Sequence, residues 1–333
     1  MKNTIRQRLS QQEYLNGIRA GDKIILAQAI TLVESQLGSD APSAEGLLET
    51  ILPLAGKSIR IGITGSPGVG KSTFIEAFGN YLTAQNKKVA VLAIDPSSTK
   101  TKGSILGDKT RMEELSKNPL AFIRPTATGN ALGGVADRTR EAILLCEASG
   151  FEIIIIETVG VGQSETAVRS MVDFFLLLML PGAGDELQGI KKGIMEMADG
   201  MVITKADGEN RMKATQAQAD FQHALHLFEL TESGVIPKVL TSSALEKKGI
   251  AETWKMIEEY KKMTTQNGFF KHSRQNQNLR WFEESFGLLW KNQLNNHQKF
   301  NTAKKELENK IRENRITVRE AANQLLSVVA TKQ

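Results

Sequence analysis

Cysteine is nearly absent from this 333-residue chain, where Cys146 stands alone and so excludes an internal disulfide. Its setting, "REAILLCEASG", puts it on the apolar side of an expected helix, as a buried thiol rather than a nucleophile. Histidine is scarce too, with four residues, of which only His223 and His226 in "DFQHALHLFEL" share a helical i, i+3 spacing; they read first as a surface pair. Long apolar runs are missing. The longest, Phe174 to Leu180, is far short of the roughly 20 residues that cross a bilayer and suits a buried parallel strand. The N-terminus, "MKNTIRQRLSQQEY", has no apolar core of a secretory signal, so a cytoplasmic protein is expected. Excess charge is small, at a formal +5, and most of it lies in the last third, in stretches such as "KMTTQNGFFKHSRQNQNLR". There the basic residues are interleaved with Gln and Asn and no recognition motif accompanies them, which favours a solvated helical surface over a nucleic-acid patch.

What remains is ordinary globular composition, 41% apolar and 24% charged, in a chain long enough for one large α/β core with appended helices. After a cap at Gly21-Asp22, Ile25, Leu26, Ala29, Ile30 and Val33 recur at helical spacing. From Ile59 onward, strand-like runs alternate with helical ones: "IRIGIT", "KVAVLAID", "AFIRPTA", "FEIIIIET", "DFFLLLML", "GMVITKAD" and "PKVLTSSA". The pattern predicts an α/β fold with a doubly wound, mostly parallel sheet covered on both faces. Beyond about Gly268 the β signal stops, and Leu279, Phe282, Phe286, Leu289 and Leu294 trace one helical stripe before a last helix from Thr317 carrying Ala321, Leu325 and Val328. The expected organisation is a helical segment over 1–50, a nucleotide domain over 51–265 and a C-terminal helical arm over 266–333.

The stretch "GITGSPGVGKSTFIEAF" joins a strand to a helix through the octet Gly65, Ser66, Pro67, Gly68, Val69, Gly70, Lys71, Ser72, with Thr73 next. The glycines let successive N–H groups turn toward one point, the helix adds its positive end, Lys71 can reach β- and γ-phosphates, and the Ser72 hydroxyl can ligate Mg²⁺. Strand ends elsewhere supply acids. Asp95 closes "VLAID" and Glu157 closes "IIIIE", positions from which carboxylates can hold a metal on a triphosphate. Gly160 and Gly162 follow in a switch-like loop. Base choice is encoded in "VITKADGE" and "VLTSSALEKKG". Asp207 can accept from the N1–H and 2-amino group of guanine, the Lys205 stem can cover the base, and the Ala244 N–H, between Ser243 and Leu245, can donate to guanine O6.

These motifs, with "AGDKIILAQAITLVES", "ILGDKTRM", "GGVADRTREAILLCEASGF" and "PGAGDELQGIKKGI", resemble the methylmalonyl-CoA mutase-associated GTPases of the MeaB/ArgK type, a SIMIBI-class P-loop family, over roughly residues 15 to 250. The resemblance implies a homodimer that hydrolyses GTP with Mg²⁺ and serves as chaperone to an adenosylcobalamin-dependent acyl-CoA mutase. It implies that Asp95 and Asp108 are first-switch acids and that Glu157 stands where related proteins carry aspartate. "GAGDELQGIKKG" corresponds to a further switch, in which Lys191 or Lys192 reaches the nucleotide directly or by ordering Asp108 and Gln163. One position departs from the family. Thr204 replaces the asparagine that braces the phosphate loop and approaches guanine N7, so guanine preference is expected to persist through Asp207 with altered affinity. A metallochaperone GTPase and a kinase tied to amino-acid transport remain the alternative readings.

Overall fold

The computed structural model describes residues 8–94, 112–126, 132–158, 164–182, 192–225 and 231–330. All seven anticipated strands form: β1 Ile59–Gly65, β2 Val89–Ile94, β3 Ala121–Thr126, β4 Ile153–Thr158, β5 Phe174–Met179, β6 Gly200–Ile203 and β7 Lys238–Thr241. They pair in the order β3-β2-β4-β1-β5-β6-β7, every pairing parallel. β2, β4 and β5 are buried along their whole length, which explains why they read as unbroken apolar runs.

Successive side chains divide between the two faces. Val89, Val91, Ile153 and Ile155 pack with Phe74 and Phe78 of α4 (Lys71–Ala84) and with Trp254, Ile257 and Tyr260 of the helix Ile250–Gln266. Ala90, Leu92, Ile154 and Ile156 instead face the N-terminal helices α1 (Gln11–Ala20), α2 (Lys23–Val33) and α3 (Ala41–Ile51), together with the helix Leu132–Ala148. The first two of these are locally well specified. Ser10 and Glu13 form a capping box on α1, Gly21 ends it in the left-handed region at φ 73°, and the Asp22 carboxylate accepts from the Ile24 and Ile25 N–H groups to start α2. Cys146 lies fully buried in this core, where burial pushes its thiol up.

The chain divides into two compact units, Met1–Gln277 and Asn278–Gln333. Within the first, Arg274, near the start of the long helix Phe269–Asn295, donates to both Asp173 oxygens at 2.7 Å and to the Gly56 and Ser58 carbonyls. In the second, the helices Gln298–Arg312 and Val318–Ala330 bury Leu307 and Ala321. Leu279, Phe282, Phe286, Leu289 and Trp290 of that unit are exposed, and the rings of Phe282, Phe286 and Trp290 stack in sequence. Among the described residues, no helix is long and apolar enough to cross a membrane.

Candidate functional site

Chain order reverses about β1: its successor β2 lies beyond β4 on one side, while β5 returns to pair on the other. A crevice at the carboxyl ends of such strands is where open α/β sheets bind ligands. The Thr158 and Thr64 hydroxyls, 2.8 Å apart and buried, pin the carboxyl ends of β4 and β1 together. Gly65 leaves β1 where a Cβ would lie 2.6 Å from the Leu178 carbonyl, so the loop can only pass this close to β5 as glycine. Gly70 then takes φ 94° as the cap of α4, whose first-turn N–H groups have no intrahelical partners and favour an anion.

Lys71 folds back over its own loop. Its ammonium donates to the Gly65 carbonyl at 2.8 Å and the Ser66 carbonyl at 3.2 Å. Burial lowers its pKa, while the charges of Glu157 and Glu165 pull the other way. A phosphate entering the loop offers this desolvated cation a better partner than two carbonyls. The Ser72 hydroxyl donates to Glu157 Oε1 at 3.2 Å, and Glu157 is buried at the end of β4. The pair forms a hydroxyl and carboxylate set of hard oxygen donors, the type that suits Mg²⁺. Asp95, Asp108, Gln163 and Lys191 lie outside the described residues, as do Gly160, Gly162 and His226; Lys192 opens the helix Lys192–Met197. Among the described residues, no group of three or more His, Cys, Asp and Glu comes together to hold a metal.

Beside the loop is a cavity of about 260 Å³ whose wall includes Gly70, Thr204, Lys205, Asp207, Ala244 and Leu245. Thr204 is buried in this wall. Its hydroxyl is shared between the Val69 carbonyl of the phosphate loop at 2.7 Å and the Met179 carbonyl at 3.1 Å. The threonine therefore makes the bracing contact expected of the asparagine it replaces, and its single proton is committed there. Lys205, at φ 54°, runs its stem past Gly70. Ser243 donates to Asp207 Oδ2 at 2.5 Å and accepts from the Glu246 N–H, which holds the carboxylate in place. Two further residues were not singled out from the sequence. Glu165, buried in the helix Ser164–Arg169, acts electrostatically on Lys71, and Asn210 lines the cavity three positions after Asp207. A carboxylate eight residues beyond Glu157 and an amide one helical turn beyond Asp207 were the available signals.

The model of the family described as methylmalonyl Co-A mutase-associated GTPase MeaB matches residues 26–326. The Escherichia coli K12 protein named GTPase ArgK is 44% identical over 320 residues, 96% of this chain and 97% of that protein. The mouse mitochondrial protein named methylmalonic aciduria type A homolog is 48% identical over 275 residues, 80% of this chain and 66% of that one. A crystal structure titled LAO/AO transport system kinase superposes with a TM-score of 0.78 at 38% identity, over 98% of this chain and 100% of that chain. With a match of this extent and a phosphate loop set at the switch point of a parallel sheet, the chain belongs to the MeaB family of methylmalonyl-CoA mutase-associated GTPases and is itself a GTPase that binds guanine nucleotide.

Proposed function

We propose that this GTPase is Mg²⁺-dependent and acts as chaperone to an adenosylcobalamin-dependent acyl-CoA mutase of the methylmalonyl-CoA mutase type, gating cofactor loading and protecting or reactivating the enzyme. The observation that carries the reading is the extent of the family match, 26–326, which takes in helices on both flanks of the nucleotide domain as well as the domain itself. A relative named for methylmalonic aciduria supports the same client.

In this reading the loop from Gly65 to Thr73 cradles the phosphates, and Lys71 leaves the Gly65 and Ser66 carbonyls to neutralise β- and γ-oxygens. Ser72 and Glu157, with Asp95, hold the metal. Mg²⁺, when bound, would supply positive charge against the phosphoryl oxygens. Asp207 reads the guanine edge under the aim of Ser243, Lys205 covers the base, Ala244 and Leu245 close the cavity, and Thr204 holds Val69 in place. Lys191 and Lys192, with Asp108 and Gln163, couple the client to hydrolysis. The exposed aromatic row of the second unit supports a homodimer, since a monomer rarely leaves such a row in water.

GTP turnover measured with and without an adenosylcobalamin-dependent mutase tests the proposal. A mutase-dependent rise that is lost when Lys191 and Lys192 are both changed to Ala is expected; turnover indifferent to every such mutase removes the chaperone reading. The superposed transport-system kinase motivates a second reading, phosphotransfer to a binding protein. Label from γ-labelled GTP appearing on a solute-binding protein would favour it.

A further inference from the structure

We propose that Asn210 is a specificity-determining residue of the base cavity, its side-chain carbonyl accepting the 2-amino hydrogen of guanine that Asp207 leaves over. The inference rests on Asp207 reading the base. Guanine presents three hydrogens on that edge, one on N1 and two on the 2-amino group, and a carboxylate facing the edge takes the N1–H and the nearer amino hydrogen. The second amino hydrogen points away, toward the N3 side. Left buried without an acceptor, it would carry the desolvation cost of an unmade hydrogen bond.

Asn210 is placed to take it. Its backbone N–H donates to the Asp207 carbonyl at 3.0 Å, so it follows on the Asp207 side, and its side chain is partly buried in the same cavity wall. It opens the helix Asn210–Leu225, yet among the described residues its carboxamide makes no capping or other hydrogen bond. The Lys205 ammonium in the same wall can only donate, whereas the Asn210 amide oxygen accepts. A neutral amide oxygen also adds an acceptor beside Asp207 without a second negative charge.

Inosine diphosphate lacks only the 2-amino group, so calorimetric titration of the parent and Asn210→Ala with GDP and IDP isolates this contact. The parent should prefer GDP. In Asn210→Ala, GDP binding should weaken about five-fold, one net hydrogen bond, while IDP binding stays unchanged and shows that the fold is intact. Equal weakening of both nucleotides, or no change in either, would overturn the assignment by making Asn210 structural or idle. A parent that binds GDP and IDP alike would instead remove the Asp207 reading beneath it.

Discussion

Replacing Thr204 by asparagine should tighten guanine nucleotide binding, and the geometry says by how much. The threonine hydroxyl has one proton, already divided between carbonyls at 2.7 and 3.1 Å, so nothing remains to donate to N7. An asparagine amide carries two hydrogens, one for the Val69 carbonyl and one for N7. The added bond contributes about 1 kcal/mol net, or roughly five-fold in Kd, before any strain from seating the amide at a position only 5% exposed. The discriminating ligand is 7-deaza-GDP, which lacks the N7 acceptor. By calorimetry, the parent should bind GDP and 7-deaza-GDP equally, and Thr204→Asn should favour GDP by about five-fold. A parent that already prefers GDP by that margin would show that another donor serves N7, and the accounting of Thr204's proton would be wrong.

Lys71→Ala should weaken nucleotide binding sharply, whereas Glu157→Gln should slow GTP turnover with GDP affinity largely kept; equilibrium binding and single-turnover assays on the same preparations separate the two. Glu147 should govern part of the acid stability. Burial raises its pKa, but Arg60 at 2.9 and 3.0 Å and the Ser58 hydroxyl at 2.6 Å more than offset this and hold it below the ordinary 4.5. With the folded-state value depressed, its contribution is present above pH 4.5 and lost as pH falls through the lower folded value. Glu147→Gln should therefore cost about 3 kcal/mol near neutrality and flatten the acid limb in denaturant titrations, because Arg60 is left without its buried partner. The proposed homodimer predicts that the parent sediments as a dimer and that Phe282→Asp with Phe286→Asp sediments as a monomer in analytical ultracentrifugation, with GDP affinity unchanged.

The sheet was legible because burial on both faces forces apolar runs, and even the four-residue β6 stood out between its flanks. Strand order was not written locally: that β1 lies between β4 and β5 is fixed by pairings across the whole domain. α3 was obscured by Pro42 and Gly46, and it is held by tertiary contacts, Leu47 and Ile51 in the core and a Gln11 side chain on the Gly46 carbonyl. The phosphate loop was plain from spacing alone, whereas the role of Thr204 was not. By the asparagine pattern Thr204 is a loss, yet the fold brings a carbonyl from 135 residues away onto its hydroxyl. Asn210 was hidden for the same reason, as a helix-opening residue until the cavity wall is seen.

Asp207→Asn titrated with GDP and xanthosine diphosphate tests whether Asp207 reads the base. An asparagine there can still accept from N1–H but offers an N–H to position 2, where guanine has an amino group and xanthine a carbonyl. GDP binding should fall by about a hundred-fold or more while xanthosine diphosphate gains and becomes the preferred ligand. Unchanged preference for GDP in the variant would place the base elsewhere.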